Sequence, residues 1–372
     1  MRKTFQYRLY PSKSQIRVLE HTLEVCRWVY NRTLATRKDA YEERKESVSL
    51  YDTRNMLTVW KKEDQEYNKV YSQVLQNVQE RVDLAFQAFF RRVRNGENPG
   101  YPRFKGKGRY DSFTFPQSGF NLIENHHLRL SKIGEIKIWM HRPIEGKIKT
   151  LAVRRTSTGK WYACFSCEVE TKPLPENTRA VGIDVGLEKF ATLSTGEYIE
   201  NPRYFRKGEN ALAKAQRKLS KLDKESPKRA NQRHVVSHIH EKISNQRKDF
   251  AHKLSRRLVD EFGIIVFEKL NITNMTQNHC LAKSIQDAAW NQLIQFTTYK
   301  AEDAGRSVVM VNPNGTSKKC SRCGTMVDKD LSVRIHVCPT CGLEINRDLN
   351  ASYNILGLGL QSLGLAPRSH PL

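Results

Sequence analysis

The feature that most constrains this chain is a pair of apolar, largely β-branched runs, each closed by a single acid. One runs Ala180-Val181-Gly182-Ile183-Asp184-Val185-Gly186-Leu187 and the other Ile264-Ile265-Val266-Phe267-Glu268-Lys269-Leu270. Such runs read as strands buried on both faces, with the acid at the C-terminal mouth. A carboxylate in that place is costly when desolvated and unpaired, so it needs a cation. A third acid, Asp348 in Asn346-Arg347-Asp348-Leu349-Asn350-Ala351, opens a short apolar-periodic segment that reaches Ile355. It therefore reads as a residue at a helix start. Three acids converging from two strand ends and a helix make an oxygen-ligand site for Mg²⁺ or Mn²⁺. Two such ions, about 3.5–4 Å apart, can clamp the attacking and leaving oxygens of a phosphodiester.

Taken singly, each acid has an ordinary reading as well. Asp184 suits a turn before Gly186, Glu268 a strand end at the surface, and Asp348 a helix N-cap. Taken together, the order Asp, Glu, Asp, with the first acid in Gly182-Ile183-Asp184-Val185-Gly186, resembles a RuvC or RNase H-like nuclease core.

The second constraint is a cysteine quartet. Cys320-Ser321-Arg322-Cys323-Gly324 and Cys338-Pro339-Thr340-Cys341-Gly342 are two C-x-x-C knuckles separated by fourteen residues. That spacing predicts a zinc ribbon with tetrahedral four-thiolate coordination. Four thiolates leave no open position on the ion, so the zinc is expected to be structural. The remaining cysteines give no second pair. Cys164 and Cys167 have the same spacing but lie in an alternating strand pattern, where they face opposite ways. Metal-ligand spacing, and not a disulfide framework, points to a reducing cytoplasm.

The net charge of the 372 residues is +24. Nucleic acid is the partner this implies, because each neutralised phosphate releases counterions. A membrane is excluded by the lack of any apolar run near the ~18–20 residues that a span needs, and the first residues lack the apolar core of a signal peptide.

Along the chain, Phe5 to Tyr10 alternate as a strand before Pro11 and Ser12 start a helix. Three helical stretches follow, about 12–47, 51–67 and 72–93, for which a helix-turn-helix is one reading. Gln76 and Asn77 on the third are candidates for reading adenine edges. After the break at Asn95–Pro102, basic residues alternate with aromatics and glycines. Arg103, Phe104, Lys105 and Lys107 are candidates for contact with nucleic acid there. Short strands from Ser112 to about Thr171 predict a small β-barrel closed by the first strand, which makes the helical unit an insertion. Between the first two acids lies a basic helical hairpin, about Tyr204 to Phe262. Arg217, Lys218, Lys221, Arg247 and Lys248 on it are expected to meet a nucleic-acid backbone. One helix is expected from Ser284 to Ala304. Lys318, Lys319 and Arg322 beside the first knuckle complete the set of basic candidates.

These motifs together resemble the TnpB (OrfB) family of insertion sequences, which is similar to type V CRISPR effector nucleases. The resemblance is carried by Tyr7-Arg8-Leu9-Tyr10-Pro11, Arg27-Trp28-Val29-Tyr30-Asn31, Gly100-Tyr101-Pro102-Arg103-Phe104, the three acidic stretches, Thr316-Ser317 and the cysteine knuckles. It implies a multi-domain α/β protein: a RuvC/RNase H-like core with a four-cysteine zinc ribbon inserted, and an N-terminal β-barrel carrying an inserted helical domain. The expected boundaries are 1–10 and 96–172 for a wedge-type barrel and 11–95 for a helical recognition domain. The nuclease domain takes 178–315 and 345–357, with its basic insert at 204–262. The zinc ribbon takes 316–344, and 358–372 form a flexible tail.

The family further implies RNA-guided DNA cleavage in a bacterial or archaeal cytoplasm. A guide RNA from the transposon end and double-stranded target DNA are the expected partners, and a monomer is the expected state. Asp184, Glu268 and Asp348 carry over as ligands of two Mg²⁺ or Mn²⁺, and Cys320, Cys323, Cys338 and Cys341 as ligands of one Zn²⁺. Two other functions compete. One is a transposase that joins DNA strands without RNA; the other is a guided DNA binder that does not cut.

Overall fold

The computed structural model describes residues 1–123, 126–270, 277, 279–330 and 333–366. The chain divides into two compact units, Met1–Glu170 and Thr171–Leu372.

The first unit is built on a seven-stranded antiparallel sheet. Its strands are β1 (Arg2–Tyr10), β2 (Ser112–Phe115), β3 (Phe120–Ile123), β4 (His127–Leu130), β5 (Gly134–Trp139), β6 (Lys147–Arg155) and β7 (Trp161–Glu168). They run in the order β2-β6-β7-β1-β5-β4-β3. The N-terminal strand thus sits in the middle, paired with β7 on one side and β5 on the other. The sheet curls until its far parts touch. Phe120 on β3 meets Phe165 on β7 at 6.4 Å and Phe115 on β2 at 6.2 Å between ring centroids. These contacts cross the interior of a nearly closed barrel. Alternation along β7 puts Trp161, Ala163, Phe165 and Cys167 inside, and Tyr162 and Cys164 on the outer side. Cys164 and Cys167 therefore diverge, as the strand period requires. The short β3 lacked a legible alternation in the sequence. It forms because β4 and the ring of Phe120 recruit it.

Between β1 and β2 the chain makes α1 (Lys13–Arg44), α2 (Leu50–Glu63), a 3₁₀ turn (Gln65–Lys69) and α3 (Ser72–Arg94). Helix α1 starts on a capping box in which Ser12 and Gln15 satisfy each other's backbone N–H, and Ser49 with Asp52 does the same for α2. Leu19, Leu23, Cys26 and Val29 of α1 are buried with Val74, Val78 and Val82 of α3 in the same core as the barrel. Arg81 fastens α3 to β2: one guanidinium nitrogen donates to the Ser112 carbonyl at 2.9 Å and the other to Thr114 Oγ1 at 2.7 Å.

The second unit holds a five-stranded sheet of β8 (Ala180–Val185), β9 (Lys189–Leu193), β10 (Tyr198–Glu200), β11 (Ile264–Glu268) and β12 (Ser307–Val311), ordered β10-β9-β8-β11-β12. The first three are antiparallel neighbours, whereas β8, β11 and β12 run parallel. Two helices, α4 (Tyr204–Ser220) and α5 (Pro227–Glu261), connect β10 to β11. Between β11 and β12 the single expected helix is two, α6 (His279–Ala288) and α7 (Trp290–Ala304), broken at Ala289 with φ 54°. The buried Trp290 follows the break, and packing of that ring overrides the helical propensity of alanine. After β12 come the first cysteine knuckle, a hairpin of β13 (Ile335–Val337) and β14 (Glu344–Asn346) with the second knuckle at its turn, and a last helix, α8 (Arg347–Ser362).

Helix α8 corrects one expectation. The tail expected from residue 358 is helical as far as Ser362, with Gly359 and Leu360 buried. Close packing explains Gly359. A Cβ on Gly359 would stand 2.4 Å from Val266, and one on Gly182 would stand 2.2 Å from the Ser352 carbonyl oxygen. Glycine on strand and on helix lets α8 lie directly on β8 and β11. The last part of that expected tail, 367–372, lies outside the described residues.

Candidate active site and metal centre

Strand period decides where the first two acids point. Val181 and Ile183 of β8, with Ile265 and Phe267 of β11, pack into a core shared with Leu254, Leu258 and Leu293 of α5 and α7. Val266 packs on the opposite face, with Ile355 of α8. Gly182 and Asp184, like Val266 and Glu268, are set by the two-residue repeat on this α8 face. Asp348 stands in the first turn of α8. The three acids are therefore brought to one face of the sheet.

The N-cap of α8 is Asn346, whose Oδ1 accepts from the backbone N–H of Asp348 at 2.9 Å and of Leu349 at 3.2 Å. Capping is thus done two residues earlier, and the Asp348 carboxylate is not spent on it. It accepts instead from Arg347 Nε at 3.3 Å.

The electrostatics of the face are those of crowded carboxylates. Burial holds Asp184 well above the ordinary carboxylate range; the charges of Glu268 and then Asp348 push the same way, against Arg347. Burial also raises Glu268, and a hydrogen bond from Thr316 opposes it. Thr316 Oγ1 donates to Glu268 Oε1 at 2.5 Å, and both side chains are buried. This donor set fits a hard divalent cation: oxygen ligands only, crowded, and short of positive charge.

The four cysteines converge more tightly. Their sulfurs all lie within 4.8 Å of one another, with Cys320 to Cys341 at 3.6 Å and Cys323 to Cys338 at 3.5 Å. A tetrahedron with Zn–S of about 2.3 Å has edges of about 3.8 Å, whereas a disulfide is about 2.05 Å. The quartet therefore matches a four-thiolate zinc site. Hydrogen bonds with Thr325 pull the Cys323 thiol down to about 6, while, against a hydrogen bond with the Leu343 backbone, burial and the neighbouring sulfurs push Cys341 up to about 12, so the clustered sulfurs compete for protons.

Helix α8 ties the ribbon to the acids. Asn350 Nδ2 donates to the Lys319 carbonyl at 2.8 Å, while its Oδ1 accepts from Ser321 N at 2.9 Å. Asn354 donates to the carbonyls of Thr316 and Lys319. Thr316, Asn346, Asn350 and Asn354 support the site, and reasoning from the sequence did not single them out as site residues. The signal for Thr316, Asn346 and Asn350 was their place in the Thr316-Ser317 and Asn346–Ala351 stretches, whereas Asn354 lies beyond both.

The basic candidates sort by what already holds them. Gln76 is exposed, but Asn77 accepts from Arg81 Nε at 3.2 Å and so serves the α3–β2 junction. Arg103, Phe104 and Lys107 are exposed. Lys105 is pinned through its backbone: Asn31 exchanges two hydrogen bonds with it, and Arg27 donates to its carbonyl. That clamp explains why the Arg27–Asn31 and Gly100–Phe104 stretches occur together. Arg217, Lys218, Lys221, Lys248, Lys319 and Arg322 are exposed. Lys318 pairs with Asp328 at 2.9 Å. Arg247 is committed inside the fold, with Nε and Nη2 both donating to Asp287 Oδ1. No described helix is long and apolar enough to cross a membrane.

Comparison with known proteins gives three family-model matches. Residues 164–279 match a family described as "Probable transposase", residues 290–355 a "Cas12f1-like, TNB domain", and residues 1–46 a "Helix-turn-helix domain". Within the last range the chain forms a strand and one continuous helix. A Streptomyces pristinaespiralis protein named "Putative RNA-guided DNA endonuclease" is 38% identical over 97% of this chain and 90% of its own length. An Escherichia coli K12 protein of the same description, InsQ, is 31% identical over 96% and 92%. Among solved structures, one titled as the Cas12f1–sgRNA–target DNA complex aligns with a TM-score of 0.59 at 14% identity, covering 92% of this chain and 83% of that one. At that identity the likeness speaks for the fold.

Proposed function

This chain belongs to the TnpB (OrfB) family, and from that premise we propose that it is an RNA-guided DNA endonuclease. It takes its sequence specificity from a guide RNA of the transposon end and cuts target DNA beside a short transposon-adjacent motif that the protein reads. The observation that carries this reading is the meeting of Asp184, Glu268 and Asp348 on the α8 face, with Asp184 crowded by the other two. The strand order of the sheet, three antiparallel strands followed by two parallel ones, supports an RNase H-like core.

Asp184, Glu268 and Asp348 would hold two Mg²⁺, which when bound supply a metal-activated water and charge stabilisation at the phosphorus. The chain's own residues set the stage. Thr316 fixes one rotamer of Glu268, Arg347 holds Asp348, and Asn346 aims the helix start. Burial of Glu268 and Thr316 strengthens the hydrogen bond between them, while Asp184 and Asp348 are only partly buried and stay open to substrate. Pairing with guide RNA leaves the protein to recognise duplex shape and the adjacent motif.

The test is to sequence RNA that co-purifies with the chain and to incubate the complex with a matched plasmid in Mg²⁺, with Asp184→Ala beside it. Transposon-end RNA and cutting that the variant loses support the guided nuclease. Absence of RNA, with strand-transfer products, overturns it in favour of a transposase, the word the family match over 164–279 uses. Bound RNA without cutting at any adjacent motif overturns it in favour of a silent binder.

A further inference from the structure

The outer face of the barrel carries an unusual row of side chains. Register places Trp139 of β5 opposite Arg8 of β1, Arg8 opposite Tyr162 of β7, and Tyr162 opposite Arg154 of β6. Aromatic and cationic residues thus alternate across four adjacent strands. The next row repeats the pairing with Tyr10 opposite Lys137. Directly opposed side chains in an antiparallel sheet have Cβ atoms about 5 Å apart, so the row forms a continuous surface. The Arg8 guanidinium lies between two rings, 5.5 Å from the Tyr10 centroid and 5.3 Å from that of Tyr162. Its Nη1 is buried with no hydrogen-bond acceptor. Trp139 is 61% exposed and Tyr10 53%, although both are large apolar groups that cost free energy in water.

We infer that this row is a stacking platform for unpaired nucleobases of a single RNA strand, with Trp139 as its principal ring. The chemistry is complementary on both counts. Exposed rings offer π-faces that accept any base, and Arg8 and Lys137, with Arg154 beside its partner Asp111 at 3.5 Å, supply the positive field that holds the backbone alongside. A second protein is the less suited occupant, because the row alternates charge with ring and offers no contiguous apolar patch. The inference deepens the guided-nuclease reading by naming a contact for its RNA, and it gives the Tyr7–Pro11 stretch a role.

The test uses the full chain, stripped of bound RNA, with a labelled oligouridylate and with a double-stranded RNA of equal length as probes. Trp139→Ala is expected to weaken oligouridylate binding by about 5- to 100-fold, the range of one base stack. Trp139→Phe keeps most of the affinity, and neither change alters the slope of log affinity against log salt, since no charge is removed. Lys137→Ala reduces that slope by about one. Binding of the duplex, whose bases are already stacked and paired, is unaffected by Trp139→Ala. Equal oligouridylate affinity in Trp139→Ala and the parent overturns the platform. So does an equal loss on the duplex, or a loss that Phe does not rescue. Loss of self-association in Trp139→Ala, with RNA affinity intact, overturns it in favour of a protein-docking face. Because oligouridylate carries no guide sequence, the platform can stand even if no transposon-end RNA co-purifies, and the nuclease reading can stand if the platform falls.

Discussion

The thiolate quartet and the carboxylate face both gather side chains of metal-ligating type, yet they are assembled by opposite routes. The cysteines come from two knuckles fourteen residues apart, and short turns bring the sulfurs to within 4.8 Å of one another. The acids come from positions 184, 268 and 348, and only the stacking of α8 on β8 and β11 brings them to one face. One site is made by local chain geometry, the other by a whole sheet. The difference separates a cluster that local turns can build from one that exists only once the sheet and α8 are packed.

The largest effect expected from this contrast is on the ribbon. Chelation of zinc, or Cys338→Ser at a buried ligand, removes a binding energy of about 10–16 kcal/mol. Residues 316–346 are then expected to lose protection in hydrogen exchange while β8 and β11 keep theirs. Asp184→Asn should do the reverse: zinc content stays at one per chain by elemental analysis, and plasmid cutting falls by roughly 10³-fold or more, about 4 kcal/mol.

The same substitution carries a stability sign. The pKa of Asp184 is raised in the folded chain, so the metal-free fold binds the proton more tightly than the unfolded chain. Its contribution is fully present below the ordinary aspartate pKa and is lost as pH rises through the folded value. The metal-free protein should therefore melt at lower temperature at pH 7 than at mildly acid pH. Asp184→Asn should lessen that slope, leaving the part that the raised Glu268 contributes, and raise the neutral-pH melting temperature. A melting temperature lowered by Asp184→Asn would contradict the crowding described above.

Smaller effects sharpen the contrast. Gly182→Ala drives a Cβ to 2.2 Å from the Ser352 carbonyl. It should cost about 1–3 kcal/mol by overpacking, and cutting should fall with zinc still bound. Thr316→Val leaves Glu268 without its hydroxyl partner; the expected result is a 10- to 100-fold rise in the Mg²⁺ needed for half-maximal cutting, by about the weight of an outer-sphere contact. Asn350→Ala removes two of the hydrogen bonds that tie the first knuckle to α8 and leaves those of Asn354. It should lower stability by about 1 kcal/mol, measured by chemical denaturation.

What could be read in the sequence follows the same division. Helices α1, α3, α4 and α5, the strands that carry Asp184 and Glu268, and the sulfur ligands were legible because each is written in local periodicity or spacing. The short β3, the break at Ala289 and the helical stretch at 358–362 were not, because neighbours distant in sequence decide them. Side-chain commitments were equally hidden. Asn77 looks free for a base until Arg81 is seen to occupy it, and Arg247 looks like a phosphate contact until Asp287 takes it. Three asparagines and a threonine escaped notice as site residues because a neutral hydrogen-bonding side chain leaves no mark in charge or hydropathy.

The position of α8 after the ribbon has a consequence for synthesis. The strands bearing Asp184 and Glu268 leave the ribosome first, with the sheet's remaining face still bare. The third acid arrives only after both knuckles have been made, on the same helix whose asparagines hold the first of them. A chain interrupted anywhere before α8 carries two of the three acids and lacks the helix that covers them. The order of translation thus completes the proposed cutting centre only after the ribbon, and a product ended before α8 lacks part of it.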